Sequence, residues 1–566
     1  MEASRAIRSC LLGAVAGIAF GSCTPRLDAL SCTVVKHPAP TEADKALLAG
    51  DYDKAATLYR AALEKQPGSV DLTTGLVHAL LREQRIDEAE DAVKDALDAA
   101  PKSAGLITLR GEVELAQGQP WLVEPTVVES YKIDPCNPRT RLLFAKVLEL
   151  SARYATARQQ ILIAHQFDPE DAEIRRMWIE TLPLDQRVAE FDSYLSSPSG
   201  NDPQELAVFR VELDRLKKRA AEPATACRLA STAASAEVPF VRLAGYGGHT
   251  RAYGLDVALN GKGTRLQIDT RGAGLSVYRS AADRVGLKRL EPQGKGGGTP
   301  GEKAGYAAYA DSIRIGSLEF HDCPVNVIDS ASPFDDGDGM IGADIFSDFL
   351  VTLDFPMRRL GLASLPARPG EPARPASLKT IAADFDPLES IVEPATAAPA
   401  GAPAAAPRTV GPFDRVIASE LKDYTQIYRA GHDLILPTAL DNEKIKLFIP
   451  DTSAGETNIS TFAALDLPKV HEDKSLEQPG AGGKAPKVFV VDEVTFNFAH
   501  VSQKLTGVVS ADISPATKAD GMQISGLVGM NTLSLLTLHI DYRDGLMKAD
   551  YVAGRGYKFE DNSNPQ

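Results

Sequence analysis

Small and bulky apolar residues recur with a fixed spacing over the first third of the chain. Each unit ends in a proline, and these prolines follow one another at intervals of 34 residues. They are Pro67, Pro101, Pro135 and Pro169. Within the units, small residues stand at Ala55, Ala89 and Ala157 and again at Ala62, Ala96 and Ala164, with bulky residues between them at Tyr59, Val93, Val127 and Ile161. A 34-residue period is typical of stacked helix-turn-helix repeats, so the pattern predicts paired helices over residues 41–182.

The third unit departs from this pattern, because Val123 replaces the small residue and Pro125 stands inside the expected second helix. Since proline disrupts a helix interior, we expect that helix to begin late. The array resembles a tetratricopeptide (TPR) solenoid, whose concave face commonly binds peptides or other proteins. The alternative is a spacer or a dimerisation surface. A helical connector is predicted to follow over residues 183–237.

From Val238 onward the pattern changes to short alternating strands broken by glycine, which indicates all-β structure. One predicted strand ends at the pair Asp269-Thr270, where a glycine-rich turn begins. The same pattern recurs at Asp451-Thr452. The sequence contains no other Asp-Thr pair. A glycine-rich stretch then follows in each copy. These stretches contain Gly296, Gly297 and Gly298 in the first copy and Gly482 and Gly483 in the second.

Each copy closes with an apolar pair between glycines, followed by a short helix and a final strand. These segments are Gly339-Met340-Ile341-Gly342 and Gly526-Leu527-Val528-Gly529. The matching order predicts a duplication, with a first lobe over residues 238–365 and a second lobe over residues 412–553. An Ala/Pro-rich linker at residues 366–411 separates the lobes and is expected to be extended. Residues 554–566 form a polar tail.

A hydrophobic strand, an Asp-Thr-Gly-type turn, a glycine-rich flap and an apolar-apolar-glycine segment, in that order, resemble the half-site of retropepsin-like and pepsin-like aspartic proteases. The chain is similar to exported bacterial proteins of this family that carry TPR repeats in front. The resemblance implies a multidomain fold, in which an all-α TPR solenoid precedes two all-β retropepsin-like (acid protease) lobes that form one bilobal pepsin-like unit.

The same resemblance implies roles for single residues. Asp269 and Asp451 would form a catalytic dyad, and the glycine-rich stretches would be flaps over a bound peptide. Thr270 and Thr452 would hold the two turns together. Two carboxylates about 3 Å apart cannot both ionise, so they share one proton. The ionised carboxylate can then activate a water molecule while the neutral one protonates the carbonyl oxygen of the substrate.

Both turns depart from the family after the Asp-Thr pair, where Arg271 and Ser453 replace glycine. A guanidinium beside a shared proton would favour the doubly ionised dyad and disable catalysis. Arg271 can also be interpreted as an insertion before Gly272, which would lengthen the turn.

Two hypotheses follow. The first is an aspartic endopeptidase that acts on a peptide or protein substrate recruited by the TPR array. The second is an inactive pseudo-protease that binds peptides or proteins. Arg271 pointing into the cleft favours the binding protein, and Arg271 pointing out favours the enzyme.

The charge of the chain excludes other classes of partner. Its 61 basic and 76 acidic side chains leave a net charge of −15 over 566 residues. This balance argues against a nucleic-acid partner, because phosphate binding needs a basic face.

The six cysteines include no Cys-x-x-Cys pair and the nine histidines no His-Glu-x-x-His pair. We therefore expect neither a metal nor another cofactor.

The N-terminal segment, residues 1–23, has the pattern of a secretory signal. Arg5 and Arg8 precede an apolar run that ends at Phe20, and the small residues Gly21 and Ser22 follow. Such a run is too short to span a bilayer. Two processing routes fit: cleavage near Gly21, or attachment of a lipid to Cys23 as in a bacterial lipoprotein. The protein is therefore predicted to be exported, either to the periplasm or as a membrane-anchored lipoprotein, and the cysteines up to Cys32 are predicted to lie outside the fold.

Overall fold

The computed structural model describes residues 32–196, 202–220, 227–244, 250–289, 305–328, 337–367, 381, 417–441, 444–476 and 487–554. The predicted signal segment, all five flap glycines and nearly all of the predicted linker lie outside these residues. Among the described residues, no helix is both long enough and apolar enough to cross a membrane.

The first part of the described chain consists of helices arranged in antiparallel pairs. They are α1 (Glu42–Leu48), α2 (Tyr52–Leu63), α3 (Val70–Arg82), α4 (Ile86–Ala99), α5 (Ala104–Ala116), α6 (Pro120–Ile133), α7 (Pro138–Leu150), α8 (Tyr154–Phe167), α9 (Ala172–Glu180), α10 (Leu184–Ser196) and α11 (Pro203–Ala220). The second helices of the first four pairs begin 34 residues apart, as the sequence period predicts. Residues between paired helices adopt positive φ at the same period, at Gly50, Gln84, Gly118 and Ala152.

The repeat positions identified in the sequence are core positions. Ala55, Ala89 and Ala157 are completely buried, where each second helix packs against its neighbours. The expected late start of the third repeat's second helix is wrong, because α6 begins at Pro120 in phase with the others. Proline at the first position of a helix loses no hydrogen bond there. Burial of Val123 keeps α6 in register despite Pro125 in its interior.

The remaining described chain is rich in β-strands, with short helices between them. The strands are β1 (Arg228–Leu229), β2 (Ala236–Ala244), β3 (Thr250–Leu259), β4 (Lys262–Asp269), β5 (Leu275–Tyr278), β6 (Lys288–Arg289), β7 (Gly305–Ile315), β8 (Leu318–Ile328), β9 (Gly339–Gly342), β10 (Phe349–Asp354), β11 (Arg359–Ser364), β12 (Thr425–Gln426), β13 (Tyr428–Ala430), β14 (Asp433–Leu440), β15 (Lys444–Pro450), β16 (Asn458–Ser460), β17 (Val470–Glu472), β18 (Phe489–Phe498), β19 (Val501–Ala511), β20 (Gly526–Val528), β21 (Leu536–Asp541) and β22 (Leu546–Tyr551). The helices are α12 (Arg279–Val285), α13 (Thr461–Leu465), α14 (Ser514–Asp520) and α15 (Met530–Leu533), with 3₁₀ turns at Ala343–Phe346 and Ser419–Leu421.

The two lobes repeat one strand plan. In the first, β4 pairs parallel with β9 and places Leu266 opposite Gly339, whereas in the second β15 pairs parallel with β20 and places Phe448 opposite Gly526. Both positions require glycine, because a backbone carbonyl oxygen of a neighbouring segment lies too close to leave room for a Cβ atom. A Cβ at Gly339 would lie 2.1 Å from the carbonyl oxygen of Ser276, and one at Gly526 would lie 2.2 Å from that of Asn458. The repeated glycine signal in the sequence therefore has a steric cause.

Three kinds of contact connect the parts of the molecule. Strand β10 of the first lobe pairs antiparallel with β21 of the second, so both lobes contribute to one sheet, which has 14 strands among the described residues. The third repeat contacts the second lobe, since the Gln523 amide donates to the carbonyl oxygen of Ala116 at 2.8 Å. Trp121 and Leu150 pack on the apolar cluster beside it.

Two disulfides among the described residues provide the third kind of contact. Cys32 is bonded to Cys136 at the end of the third repeat, and Cys227 is bonded to Cys323 in the first lobe. The expectation that Cys32 lies outside the fold is therefore wrong. The backbone beside it is also fixed, because the Val35 amide donates to the carbonyl oxygen of Phe167.

Candidate active site

The two Asp-Thr turns meet where the lobes face each other, and their threonines take part in four hydrogen bonds across the junction. The Thr270 amide donates to Thr452 Oγ1 and the Thr452 amide donates to Thr270 Oγ1, both at 3.1 Å. Each hydroxyl then donates to the carbonyl oxygen that precedes the opposite aspartate, Thr270 to Pro450 at 2.6 Å and Thr452 to Ile268 at 2.8 Å. All of these groups are buried. The arrangement has approximate twofold symmetry and brings both aspartates to one place.

Each aspartate accepts hydrogen bonds from its own turn. Asp269 Oδ1 accepts from the Arg271 amide at 2.9 Å. Asp451 Oδ1 accepts from the Ser453 amide at 2.8 Å, from Ser453 Oγ at 2.6 Å and from the Ala454 amide at 3.1 Å. Burial raises the pKa of Asp269, and the negative charge of Asp451 adds to this increase. The two carboxylates are thus close enough to interact, and Asp451 receives more hydrogen bonds to its ionised form.

The turns have the same length, which decides how Arg271 is aligned. Val277 in the first lobe pairs with Gly339, and Ile459 in the second pairs with Gly526. Each of these residues follows its aspartate by eight positions. Arg271 is therefore a substitution at the position of Ser453, and the interpretation of it as an insertion is wrong.

The Arg271 side chain extends from the first lobe toward carboxylates of the second. Its Nη1 lies 3.7 Å from Asp451 Oδ2, and its Nε lies 3.4 Å from Asp433 Oδ1. About a third of the arginine side chain stays exposed, whereas both aspartates are buried. The guanidinium consequently faces the candidate site, and a second carboxylate shares its charge.

Three further acidic residues, which the sequence patterns did not identify, lie near the site. They are Asp433, Asp520 and Asp344. Asp433 begins β14, and Asp520 ends α14. Burial and the charge of Asp433 raise the pKa of Asp520 to about 7. Burial also raises the pKa of Asp344 to about 6. Nothing in the local sequence distinguishes Asp433 or Asp520 from other aspartates, because their role depends on long-range contacts.

Asp344 could have been found from the duplication. Its two carboxylate oxygens accept from the Gly274 amide at 3.1 and 3.2 Å. At the matching position of the second lobe, Asn531 Oδ1 accepts from the Thr457 amide at 2.9 Å. Both residues stand two positions after the closing glycine of their lobe and support the turn that follows the aspartate.

The described residues contain no group of three or more His, Cys, Asp or Glu side chains that could hold a metal ion. A separate cavity of about 1270 Å³ lies elsewhere, between strands of the second lobe. Lys422, Tyr424, His500 and Lys548 contribute to its lining, and neither Asp269 nor Asp451 does.

Comparison with known proteins identifies two families in this chain. The tetratricopeptide repeat family matches residues 46–112, and the aspartyl protease family matches residues 255–345, which include Asp269 and the closing Gly342. No curated protein matches the chain.

Among solved structures, a thermophilic TPR protein of Thermus thermophilus is 20% identical, with 30% of this chain and 92% of that chain covered and a TM-score of 0.25. MamA of AMB-1 is 16% identical, with 31% and 96% covered and a TM-score of 0.20. From the family matches, this chain combines a tetratricopeptide repeat region with an aspartyl protease domain.

Proposed function

We propose that the protein is an aspartic endopeptidase whose two lobes form one bilobal pepsin-like unit, with Asp269 and Asp451 as its catalytic dyad. The observation that carries this proposal is the reciprocal exchange between Thr270 and Thr452. Each threonine is bonded to the strand that carries the opposite aspartate, so the two carboxylates are positioned by the same contact. An aspartyl protease match in the first lobe supports the same interpretation.

In this mechanism the two carboxylates share one proton and titrate as a pair. Asp451 is the group better supplied with hydrogen bonds to its ionised form, so it accepts a proton from the attacking water. Asp269 has the raised pKa and donates its proton to the carbonyl oxygen of the scissile bond. The oxygen of the water bonds to the carbonyl carbon and gives a neutral diol. Its collapse breaks the C–N bond as Asp451 gives its proton to the leaving amine and Asp269 takes a proton from a hydroxyl of the diol.

An inactive peptide-binding protein is the second candidate, and the position of Arg271 favours it. A guanidinium that faces Asp451 stabilises the doubly ionised dyad, which cannot protonate a substrate. Asp433 opposes this effect, because its carboxylate compensates part of the positive charge of Arg271. The endopeptidase therefore remains the first choice.

We further propose that the protein is exported and that the TPR array recruits a protein partner or substrate. The two disulfides support export, since disulfides persist mainly in oxidising compartments. Cleavage near Gly21 and lipidation of Cys23 remain the two routes, and the mass of the N-terminal peptide of the mature protein distinguishes them.

Recruitment by the TPR array is tested by crosslinking the protein in its host. Peptides of other proteins that become joined to α3 and α5 are then identified.

The endopeptidase is tested by incubating the mature protein with a mixed peptide library between about pH 3 and pH 7. Asp269→Asn and Asp451→Asn variants are run beside it, with Asp354→Asn as a control for a buried aspartate that is paired with Arg359. We expect cleavage by the wild type and the control, and loss of at least about 1000-fold in both dyad variants. Peptide binding without cleavage by the wild type, at any pH, would favour the inactive binding protein.

A further inference from the structure

Asp433 is a buried carboxylate from the second lobe that faces a charge from the first. Only 3% of the residue is exposed, and its Oδ1 lies 3.4 Å from Arg271 Nε. The other end of the same guanidinium lies 3.7 Å from Asp451 Oδ2. Neither distance is that of a tight bidentate pair, in which both nitrogens lie at about 2.7–2.9 Å from the oxygens. The guanidinium is therefore divided between two carboxylates.

Other charged groups complete the surroundings of Asp433. His432 precedes it on the chain and contributes a positive potential, whereas Asp451 contributes a negative one. Asp520, from α14, interacts electrostatically with both Asp433 and Arg271. Its Oδ2 is buried and accepts no hydrogen bond from the described residues. Arg271 therefore lies within 4 Å of two carboxylates, those of Asp433 and Asp451, and acts electrostatically on Asp520 and Asp269 as well.

We propose that Asp433 is a positioning residue that holds Arg271 off the dyad, so that Asp451 does not become the sole counterion of the guanidinium. This inference rests on the proposed function, because it explains how a dyad can keep its shared proton with an arginine at the glycine position. Of the two carboxylates within 4 Å of the guanidinium, only Asp451 remains when Asp433 is removed. The guanidinium would then stabilise the doubly ionised dyad more strongly, so that the shared proton is lost at lower pH.

Single and double variants separate this role from a merely structural one. Asp433→Asn removes the compensating charge, so the pH profile of kcat/KM should move to lower pH by about 0.5–1 unit. Arg271→Gly removes the cation and restores the residue typical of the family, so the profile should move to higher pH. In the Arg271→Gly background, Asp433→Asn should lower the profile by clearly less, because only the direct repulsion between Asp433 and Asp451 is then lost. Asp354→Asn, again a buried aspartate beside an arginine, should leave the profile unchanged.

A second measurement does not depend on catalysis. The side-chain carboxyl carbons of ¹³C-labelled aspartates are titrated by NMR in the mature protein, with assignment of Asp269 from the Asp269→Asn variant. The proposal expects Asp269, which shares the proton of the dyad, to titrate at lower pH in Asp433→Asn, and expects a smaller change in the Arg271→Gly background.

The outcomes are distinguishable. Equal shifts in both backgrounds, or no shift in either measurement, would overturn the role of Asp433. If the coupled shift is seen by NMR while no variant cleaves any peptide, the positioning role is supported and the endopeptidase is not.

Discussion

Arg271 stands at the position where an aspartic protease turn has glycine, and its effect on the site depends on a residue 162 positions away. Asp433 and Asp451 both belong to the second lobe, so the first lobe supplies the cation and the second its counterions. The Asp-Thr pairs and the departures at Arg271 and Ser453 could be identified from the sequence. The contribution of Asp433 could not, because an isolated aspartate before an apolar strand carries no pattern.

Asp520 gives a prediction about stability and pH. Its pKa of about 7 lies above the value of about 3.9 expected in the unfolded chain. The folded state therefore holds this proton more tightly, and the stabilisation it contributes is full below about pH 4 and is lost as the pH rises through about 7. Asp520→Asn cannot ionise, so its Tm relative to wild type should increase with pH, by about 2–6 °C between pH 4 and pH 8.

Asp512, just before α14, provides a control of opposite sign. Its pKa is lowered by hydrogen bonds from Ser514, so its ionised form stabilises the fold at neutral pH and this contribution is lost as the solution is acidified. Asp512→Asn should therefore lower Tm at pH 8 and have little effect near pH 3. Thermal unfolding followed by circular dichroism measures both. A Tm difference for Asp520→Asn that does not vary with pH would contradict the assignment of its pKa.

At the scale of elements, the two turns and the strands beneath them form the junction of the lobes. Thr452→Val keeps the shape of the side chain but leaves the buried Thr270 amide without its acceptor and removes the bond to Ile268. A loss of about 2–4 kcal/mol in the free energy of unfolding follows from these two changes.

Thr438→Val is the matched control, because Thr438 is equally buried in the second lobe and its hydroxyl donates within its own strand, to the carbonyl oxygen of Leu436 at 3.2 Å. Thr438→Val should lower the free energy of unfolding by about 1 kcal/mol. Urea unfolding measures both variants. Equal losses would mean that the exchange between the turns does not contribute specially to the junction.

The third repeat shows why the helical period was informative and also incomplete. The period predicts the paired helices correctly, whereas the late start predicted from Val123 and Pro125 is wrong, because α6 begins at Pro120. Gly118 and Trp121, at the turn from α5 into α6 of this repeat, contact the second lobe beside Gln523. The third repeat, which departs from the repeat pattern, is therefore also the repeat that contacts the second lobe. A comparison among the repeats alone cannot reveal this contact.

Gly118→Ala tests this contact. A Cβ there would lie 2.4 Å from the carbonyl oxygen of Gln523, so the repeat and the second lobe must separate locally. Gly50→Ala is the control, because Gly50 occupies the same position in the first repeat with a similar φ of 77° and its Cβ would meet the flexible Asp202 side chain at 3.2 Å. The cost of positive φ for alanine, about 1–2 kcal/mol, is common to both.

Amide hydrogen exchange over α14 and Gln523 measures the result. We expect exchange to be at least about tenfold faster in Gly118→Ala and unchanged in Gly50→Ala, because only the first disturbs the Gln523 amide bond to Ala116. Unchanged exchange in both variants would mean that the docking contact is not maintained in solution.

At the scale of the whole molecule, the order of the modules could be predicted and their contacts could not. Periodicity and the repeated Asp-Thr plan indicated a helical array followed by two related β-rich lobes. The pairing of β10 with β21, the contact between the third repeat and the second lobe, and the disulfide from Cys32 to Cys136 join residues that are distant in sequence. Such contacts have no local signature, because each depends on shape and position in the folded chain.

The central claim is that the two lobes together supply one site with one aspartate from each. Calorimetric titration with a statine-containing peptide tests it directly, since the statine hydroxyl imitates the tetrahedral intermediate between two carboxyl groups. We predict one binding site per chain, with affinity reduced by at least about 100-fold in Asp269→Asn and in Asp451→Asn alike. Two independent sites per chain, or wild-type affinity in either variant, would contradict the shared dyad.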